Sequence, residues 1–262
     1  MNEPAVDVAP ADRSAFNPAL IVPVYQHGAA FRKLLPQLTI HGLAVIVVDD
    51  GSGPETASLL DELAATTRDL IVVRHAVNQG KGGAVITGLI SALDRDFTHA
   101  LQIDADGQHE PADIPRFLAA SMEHPEAMIV GVPEFDRSVP QARRIARYLT
   151  HVMIWIETLS LDIADSMCGF RVYPLTSTVP LLRMRPLGRR MDFDPEILVR
   201  LHWADNTIIG IPTAVTYPVG GRSNFHLLRD NVLISAMHCR LVVGMFIRLP
   251  KIFARRWAKL HE

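Results

Sequence analysis

The string LQIDADGQH, residues 101–109, gathers the residue types most able to do chemistry. Asp104 and Asp106 stand one residue apart at the end of an apolar run, followed by Gly107, Gln108 and His109. Two carboxylates at that spacing form a hard oxygen pair suited to Mg²⁺ or Mn²⁺ bridging phosphates, and Gln108 adds a neutral oxygen. The expected metal set is therefore Asp104, Asp106 and Gln108. The competing reading is an Asp-Gly turn, which accounts for one aspartate more readily than for two. A second string, NQGKGGAVITGL at residues 78–89, places close glycines and Lys81 at a helix start. It matches neither G-x-G-x-x-G, because Val85 occupies the third glycine's place, nor the G-x-x-x-x-G-K-[ST] phosphate loop. Backbone N–H groups there, with the Lys81 charge, can still approach a phosphate. A tight turn packing the helix closely on the sheet explains the glycines equally well.

Four short apolar runs must position these groups. Residues 20–24 (LIVPV), 43–48 (LAVIVV), 70–74 (LIVVR) and 98–103 (THALQI) read as strands, separated by helical patterns ending near 38, at 54–65 and at 81–93. Continuous β-branched runs joined by helices mean strands buried on both faces of a parallel sheet, hence an α/β fold. Ligands bind beyond the carboxyl ends of such strands. Those ends carry Tyr25, Gln26 and His27, then Asp49 and Asp50, then Asn78 to Gly83, then Asp104 to His109. The second half predicts a strand at 127–132, a helix at 139–161 with Arg143, Arg144 and Arg147, and extended chain at 169–173. A helix at 194–203, extended chain at 207–217 broken at Pro212, and a helix from 227 interrupted by Pro250 complete it.

Composition bounds the function. The 262 residues are 48% hydrophobic and 21% charged, which excludes disordered, collagen-like and coiled-coil chains. Lys plus Arg is 26 against 28 Asp plus Glu, so there is no basic excess for bulk nucleic-acid binding. Two cysteines, Cys168 and Cys239, make no disulfide framework and point to a reducing compartment. The opening MNEPAVDVAPADRSAFNP lacks the features of a secretory signal, and no run of eighteen apolar residues is free of charge. The expected organisation is a polar lead at 1–18, one catalytic domain at 19–226 and C-terminal amphipathic helices at 227–262.

Taken together, IVPVYQHG, VVDDGSG, NQGKGGAVITGL, DADGQHEP, DSMCGFRVY and MDFDPEILVRL resemble, in order and spacing, glycosyltransferase family 2. Within it, D-A-D-x-Q-H and D-x-x-C-G-F-R are most similar to the polyprenyl- and dolichyl-phosphate mannose and glucose synthases, and the short bacterial members associated with aryl-polyene-type lipids look nearest. The resemblance implies a GT-A fold: a single Rossmann-like, mostly parallel sheet flanked by helices. It implies inverting, metal-dependent transfer from a nucleoside-diphosphate sugar (UDP or GDP) to a lipid-linked acceptor such as a polyprenyl phosphate. Residue by residue, it places Pro23, Tyr25, Asp50, Lys81 and Asp104 on the nucleotide sugar, and Asp104, Asp106 and Gln108 on metal and diphosphate. Arg171 is matched to a basic residue facing the phosphates. His27 departs from the pattern, since a Glu is usual there. The D-x-D-G string is also similar to the nucleophile loop of haloacid-dehalogenase-type phosphatases, but there it closes the first strand and Thr or Val follows.

A hydroxyl acceptor needs a base, for which Asp165 is the first choice and Asp192 and Asp194 the others. An acceptor that is already a phosphate needs none, and Arg143, Arg147 and Arg222 would hold it. The tail LVVGMFIRLPKIFARRWAKL sets Arg248, Lys251, Arg255, Arg256 and Lys259 beside Phe253, Trp257 and Leu260. That is the pattern of a helix lying on anionic lipid, which implies a cytoplasmic enzyme peripheral on the inner membrane face. A helix docked on the domain is the competing reading. A transferase with a non-lipid hydroxyl acceptor, and a nucleotide-sugar-binding module without catalysis, are the alternative functions.

Overall fold

A computed structural model describes residues 16–135, 141–216 and 226–259. The elements run β1 (Pro18–Val24), α1 (Gly28–Thr39), β2 (Val45–Asp49), α2 (Pro54–Thr66), β3 (Leu70–Arg74), α3 (Lys81–Leu93) and β4 (His99–Gln102). A 3₁₀ turn at Pro111–Asp113 leads to α4 (Ile114–Glu123), β5 (Met128–Phe135), α5 (Gln141–Thr158), β6 (Arg171–Pro174) and α6 (Leu175–Met184). The chain closes with α7 (Phe193–Trp203), β7 (Ile208–Val215) and α8 (Leu227–Lys259). The strands form one sheet in the order β3-β2-β1-β4-β6-β5-β7. β6 is antiparallel to both neighbours, and the other pairings are parallel.

Period-two alternation of apolar side chains explains why the sheet is covered twice. Ile21, Ile46, Val48, Ala100 and Val130 enter one core layer with α3, α7 and the inner face of α8. Leu20, Val22, Val45, Val47, Leu101 and Ile129 enter the other, with Phe31 of α1 and Phe117 of α4. Gly88 lets α3 approach the sheet, since a Cβ there would lie 2.5 Å from Ile21 Cγ2.

Two expectations are corrected. Pro212 does not break the seventh strand: it pairs with Val132 inside β7, an edge strand where a missing N–H goes unnoticed. Pro250 does not interrupt the last helix: α8 runs through it for 33 residues, with the proline on the exposed side. Within α8, Leu228–Pro250 has a mean hydropathy of 1.7 and is long and apolar enough to cross a membrane by length and composition. A criterion of charge-free runs passes over it because Arg229, Asp230, Arg240 and Arg248 punctuate the stretch.

Candidate functional site

Asp50 follows β2 and is 2% exposed. Its Oδ1 meets His75 Nδ1 and the Gln79 N–H at 2.8 and 2.7 Å, and its Oδ2 accepts from Asn78 Nδ2 and the Gly80 N–H, both at 2.8 Å. A carboxylate offers about four lone-pair sites, and here the chain itself takes all four. Asp50 thus pins the 78–80 turn to the end of β2. Asp49, beside it, binds Arg74 and the Ser52 N–H. Ser52 Oγ accepts from the Gln26 N–H, which ties the turn after β1 to the turn after β2. Tyr25 and Pro23 are half-buried along that junction.

Lys81 opens α3 and lies between two carboxylates from distant parts of the chain. Its Nζ is 2.8 Å from Asp104 Oδ2 and 2.8 Å from Asp194 Oδ2. Burial favours the neutral amine, but the two aspartates outweigh it and hold the ammonium charged well above the usual lysine range. Burial likewise opposes ionisation of Asp104, yet Lys81, aided by His109, keeps its carboxyl well below the ordinary range. Asp106 is shifted the other way, by burial first and then by the Asp104 charge. One of its oxygens, Oδ1, accepts from the Gln108 N–H at 3.1 Å. His109 is buried, stacks on Phe170 and reaches to 3.8 Å of Asp104. Gly169, in the D-S-M-C-G-F-R string, lies against the Lys81–Asp104 pair, because a Cβ there would fall on Asp104 Oδ2.

The glycines after Asn78 are spent on packing. Gly80 has φ +94°, and a Cβ there would lie 2.5 Å from Arg190 Cγ and 2.6 Å from the Arg189 carbonyl oxygen. A Cβ on Gly82 would overlap Phe193, and the Gly83 N–H donates to the Arg189 carbonyl at 2.8 Å. The run therefore seats the 189–193 segment on the start of α3. This juxtaposition brings Asp194 to Lys81, and nothing in the spacing of the two strings announces it.

Two expected residues have other posts. Asp165 is gripped by Arg147, whose Nε donates to Oδ2 at 2.8 Å and whose Nη2 reaches Oδ1 at 2.7 Å and Oδ2 at 2.6 Å. The Met167 and Cys168 N–H groups also bind its Oδ1. No lone pair is left on Asp165 to take a proton, and Arg147 is committed to it. Arg171 is fully buried in β6 and donates to three backbone carbonyls, those of Cys168 (2.5 Å), Asp194 (2.7 Å) and Ser166 (2.7 Å). It fastens the Asp165–Cys168 turn and the start of α7 together and presents no donor to a ligand. Arg143 lies on α5, but its side chain, like the whole of Arg222, falls outside the described residues. Among the candidate bases, Asp194 alone has a buried oxygen, Oδ1, with no hydrogen-bond partner. Burial pushes the Cys168 thiol up to about 12, which makes it a packing residue.

Among the described residues no three His, Cys, Asp or Glu side chains are grouped as a metal cage. That is compatible with a hard cation held by one or two carboxylates and completed by substrate phosphates. Asp104 and Asp106 are carboxylates of the kind such a cation takes, with the Asp106 carboxyl raised by burial first and then by the Asp104 charge.

Comparison with known proteins gives the arrangement a place. The family model for Glycosyl transferase family 2 matches residues 19–177. The chain is 26% identical over 197 residues to a UDP-N-acetylglucosamine–dolichyl-phosphate N-acetylglucosaminyltransferase of Methanococcus voltae, covering 69% of this chain and 78% of the relative. It is 31% identical over 136 residues to an undecaprenyl-phosphate mannosyltransferase of Micrococcus luteus, covering 49% of this chain and 54% of the relative. The fold is shared with glucosyl-3-phosphoglycerate synthase of Mycobacterium tuberculosis, whose structure holds Mn²⁺, UDP-glucose and glycerol 3-phosphate. There the TM-score is 0.60 at 16% identity, over 91% of this chain and 81% of the other. A mannosyltransferase of Pyrobaculum calidifontis with GDP-mannose and Mn²⁺ aligns at TM-score 0.56 and 20% identity, over 92% of this chain and 67% of that one. With more than half of its length inside the family's own sequence pattern, and with the mixed, mostly parallel sheet of the GT-A fold, this chain is a glycosyltransferase of family 2.

Proposed function

We propose that the protein transfers a sugar, with inversion, from a UDP- or GDP-sugar to a lipid-linked phosphate such as a polyprenyl phosphate, with Mg²⁺ or Mn²⁺ at Asp104 and Asp106. The observation that carries the donor half is the Asp104–Lys81–Asp194 cluster with Asp106 beside it, at the carboxyl rim of the sheet where the turns after β1, β2 and β3 converge. Names of similar proteins, which act on dolichyl or undecaprenyl phosphate, support the acceptor half.

In the reaction an acceptor oxygen forms the bond to the anomeric carbon from behind while the bond to the diphosphate breaks. The nucleoside diphosphate leaves with that electron pair. A bound divalent cation supplies Lewis-acid stabilisation of the departing diphosphate. Lys81 contributes a fixed positive charge in the same place, and Asp194 holds its ammonium. A phosphate acceptor brings its own anionic oxygen, so no side chain takes a proton, which is consistent with Asp165 being saturated by Arg147 and two backbone N–H groups. A hydroxyl acceptor would instead require a carboxylate base, for which Asp194, whose Oδ1 makes no hydrogen bond and lies 3.8 Å from Arg171 Nη1, is the candidate.

Support for a lipid acceptor also comes from α8. Its inner face, Met237, Leu241 and Met245, is buried against the body, while Leu228, Val232, Val243, Phe246, Ile247 and Phe253 face outward. The helix thus docks and still presents an apolar stripe, which we assign to the cytoplasmic face of a membrane. The direct test incubates the full-length protein with UDP- and GDP-sugars, Mn²⁺ and undecaprenyl phosphate in vesicles. The expected result is a lipid-extractable sugar phosphate. Transfer to soluble hydroxyl acceptors with none to the lipid phosphate would refute the acceptor assignment.

A further inference from the structure

Arg189 and Arg190 precede α7 and lie on the glycine run, as described above. Neither has an ion-pair partner among the described residues, whereas Arg240, which reaches Asp192 and Glu196 of the same segment, does. Their heads rest only on neutral amide oxygens: Arg189 Nη1 donates to Gln79 Oε1, and Arg190 Nη1 donates to Asn78 Oδ1 at 3.3 Å. Asn78 in turn donates to Asp50. The Arg190 stem and the Arg189 backbone pack against the turn, since a Cβ at Gly80 would lie 2.5 Å from Arg190 Cγ and 2.6 Å from the Arg189 carbonyl oxygen. Two uncompensated guanidinium groups are thus held in place on the 78–80 turn. On one side of that turn is Asp50 at the end of β2, and on the other is Lys81 against Asp104.

We propose that Arg189 and Arg190 form a clamp on the phosphates of the donor nucleotide, acting from the 78–80 turn next to Lys81. The inference rests on the transferase reading above and adds to it a second source of positive charge that no metal ligand supplies. The 78–80 turn that carries both groups lies between Asp50 at the end of β2 and the Lys81–Asp104 pair, so a diphosphate bound beside Lys81 would meet them. Planar guanidinium forks suit phosphate oxygens, and the amide oxygens of Asn78 and Gln79 are weak enough partners to be exchanged for an anion.

The test measures binding of UDP and GDP to the full-length protein by calorimetry, with Mn²⁺ and with EDTA, and binding of uridine and guanosine by ligand-observed NMR. Arg189→Gln and Arg190→Gln are each expected to weaken diphosphate binding by about tenfold, as loss of a charge-assisted hydrogen bond requires, and to do so in EDTA as well as in Mn²⁺. Nucleoside binding should stay within twofold. The pair Arg189→Lys and Arg190→Lys should recover part of the loss. Unchanged diphosphate affinity in the double Gln variant overturns the clamp while leaving the transferase assignment standing. Equal losses for nucleoside and diphosphate also overturn it, showing that the arginines act by shaping the Asn78 turn. A wild-type protein that binds no nucleotide under any condition overturns the transferase reading and the clamp together.

Discussion

Replacing Asp165 by Asn separates a clamp from a catalytic base. In the structure the carboxylate receives a two-pronged Arg147 guanidinium and two backbone N–H groups, and both side chains are largely buried. The amide of Asn retains one oxygen for Met167 and Cys168 but turns its own N–H₂ toward the Arg147 donors. The variant therefore loses one charge-assisted arrangement, about 1.5–3 kcal/mol. For a chain of this size that corresponds to a fall in Tm of roughly 3–12 °C at about 2–4 °C per kcal/mol. Arg147→Gln should cost a similar amount. The double variant should cost distinctly less than the sum, with a coupling of about 1 kcal/mol or more, as contacting residues show. Thermal and urea unfolding of the four proteins measures this cycle. If Asp165 were a base, its loss would cost about 10²–10⁴ in rate with Tm unchanged and no coupling to Arg147. That outcome would refute the reasoning.

Other consequences are equally accessible. Asp106→Ala should remain folded and lose the Mn²⁺ enhancement of UDP or GDP affinity, and equal metal stimulation in both proteins would remove Asp106 from the metal site. Asp50→Ala should weaken nucleotide binding and also loosen the 78–80 turn, read as faster amide exchange at Gln79 and Gly80; weakened binding with unchanged exchange would place Asp50 on the ligand itself. Arg171→Met leaves three buried carbonyls without a donor, at about 1–3 kcal/mol each, and should give poorly folded protein rather than a folded enzyme with a raised KM. Phe246→Glu with Ile247→Glu on α8 should abolish co-sedimentation with anionic vesicles and leave nucleotide affinity intact, whereas identical partitioning of variant and wild type would make α8 a purely structural helix.

Much of the fold was legible because its determinants are local. Apolar β-branched runs at 20–24, 43–48 and 70–74 read as strands, the first two buried on both faces and the third a partly buried edge strand, and Pro54 in a first turn marks α2 as surely as any cap. Helices α4 and α6 escaped because IPRFLAASME and LTSTVPLLRM each carry a proline that reads as a break. In α4, Pro115 falls in the first turn, where its lost N–H has no partner to miss. The site was legible as a set of strings but not as a set of roles. Asp50, Asp165 and Arg171 are constrained residues with charged side chains, and a sequence cannot say whether their partners are a ligand or the chain's own backbone. Here the chain itself holds them: Asp50 through a turn 25–30 positions away, Asp165 through Arg147 and its own turn, and Arg171 through the carbonyls of that turn and of Asp194. The pairing of Asp194, a candidate base in the sequence, with Lys81 was hidden, as was Arg189, since Lys81 and Gln79 lie more than a hundred positions from them.

One element joins the two halves of the proposed reaction. The first turn of α7 delivers Asp194 to Lys81, and Asp192 caps the Arg190 N–H beside the clamp. Two residues further on, Glu196 is fully buried and binds the Gly188 N–H, Arg200 of the same helix and Arg240 of α8. The last residue of α7, Trp203, donates to the Glu157 carbonyl of α5 and lies under Arg248 of α8 at 4.6 Å. His238 of α8 meets Glu157 itself at 2.7 Å. A buried carboxylate left without its partners is costly, so Glu196 and Glu157 hold α8 in one position against α7 and α5 far more specifically than apolar contact would. The outward stripe of α8 and the aspartate at the proposed sugar-transfer site are thereby fixed in one rigid frame. A lipid phosphate lodged at a membrane surface and a diphosphate arriving from water need such a frame, since attack from behind the anomeric carbon tolerates little misplacement.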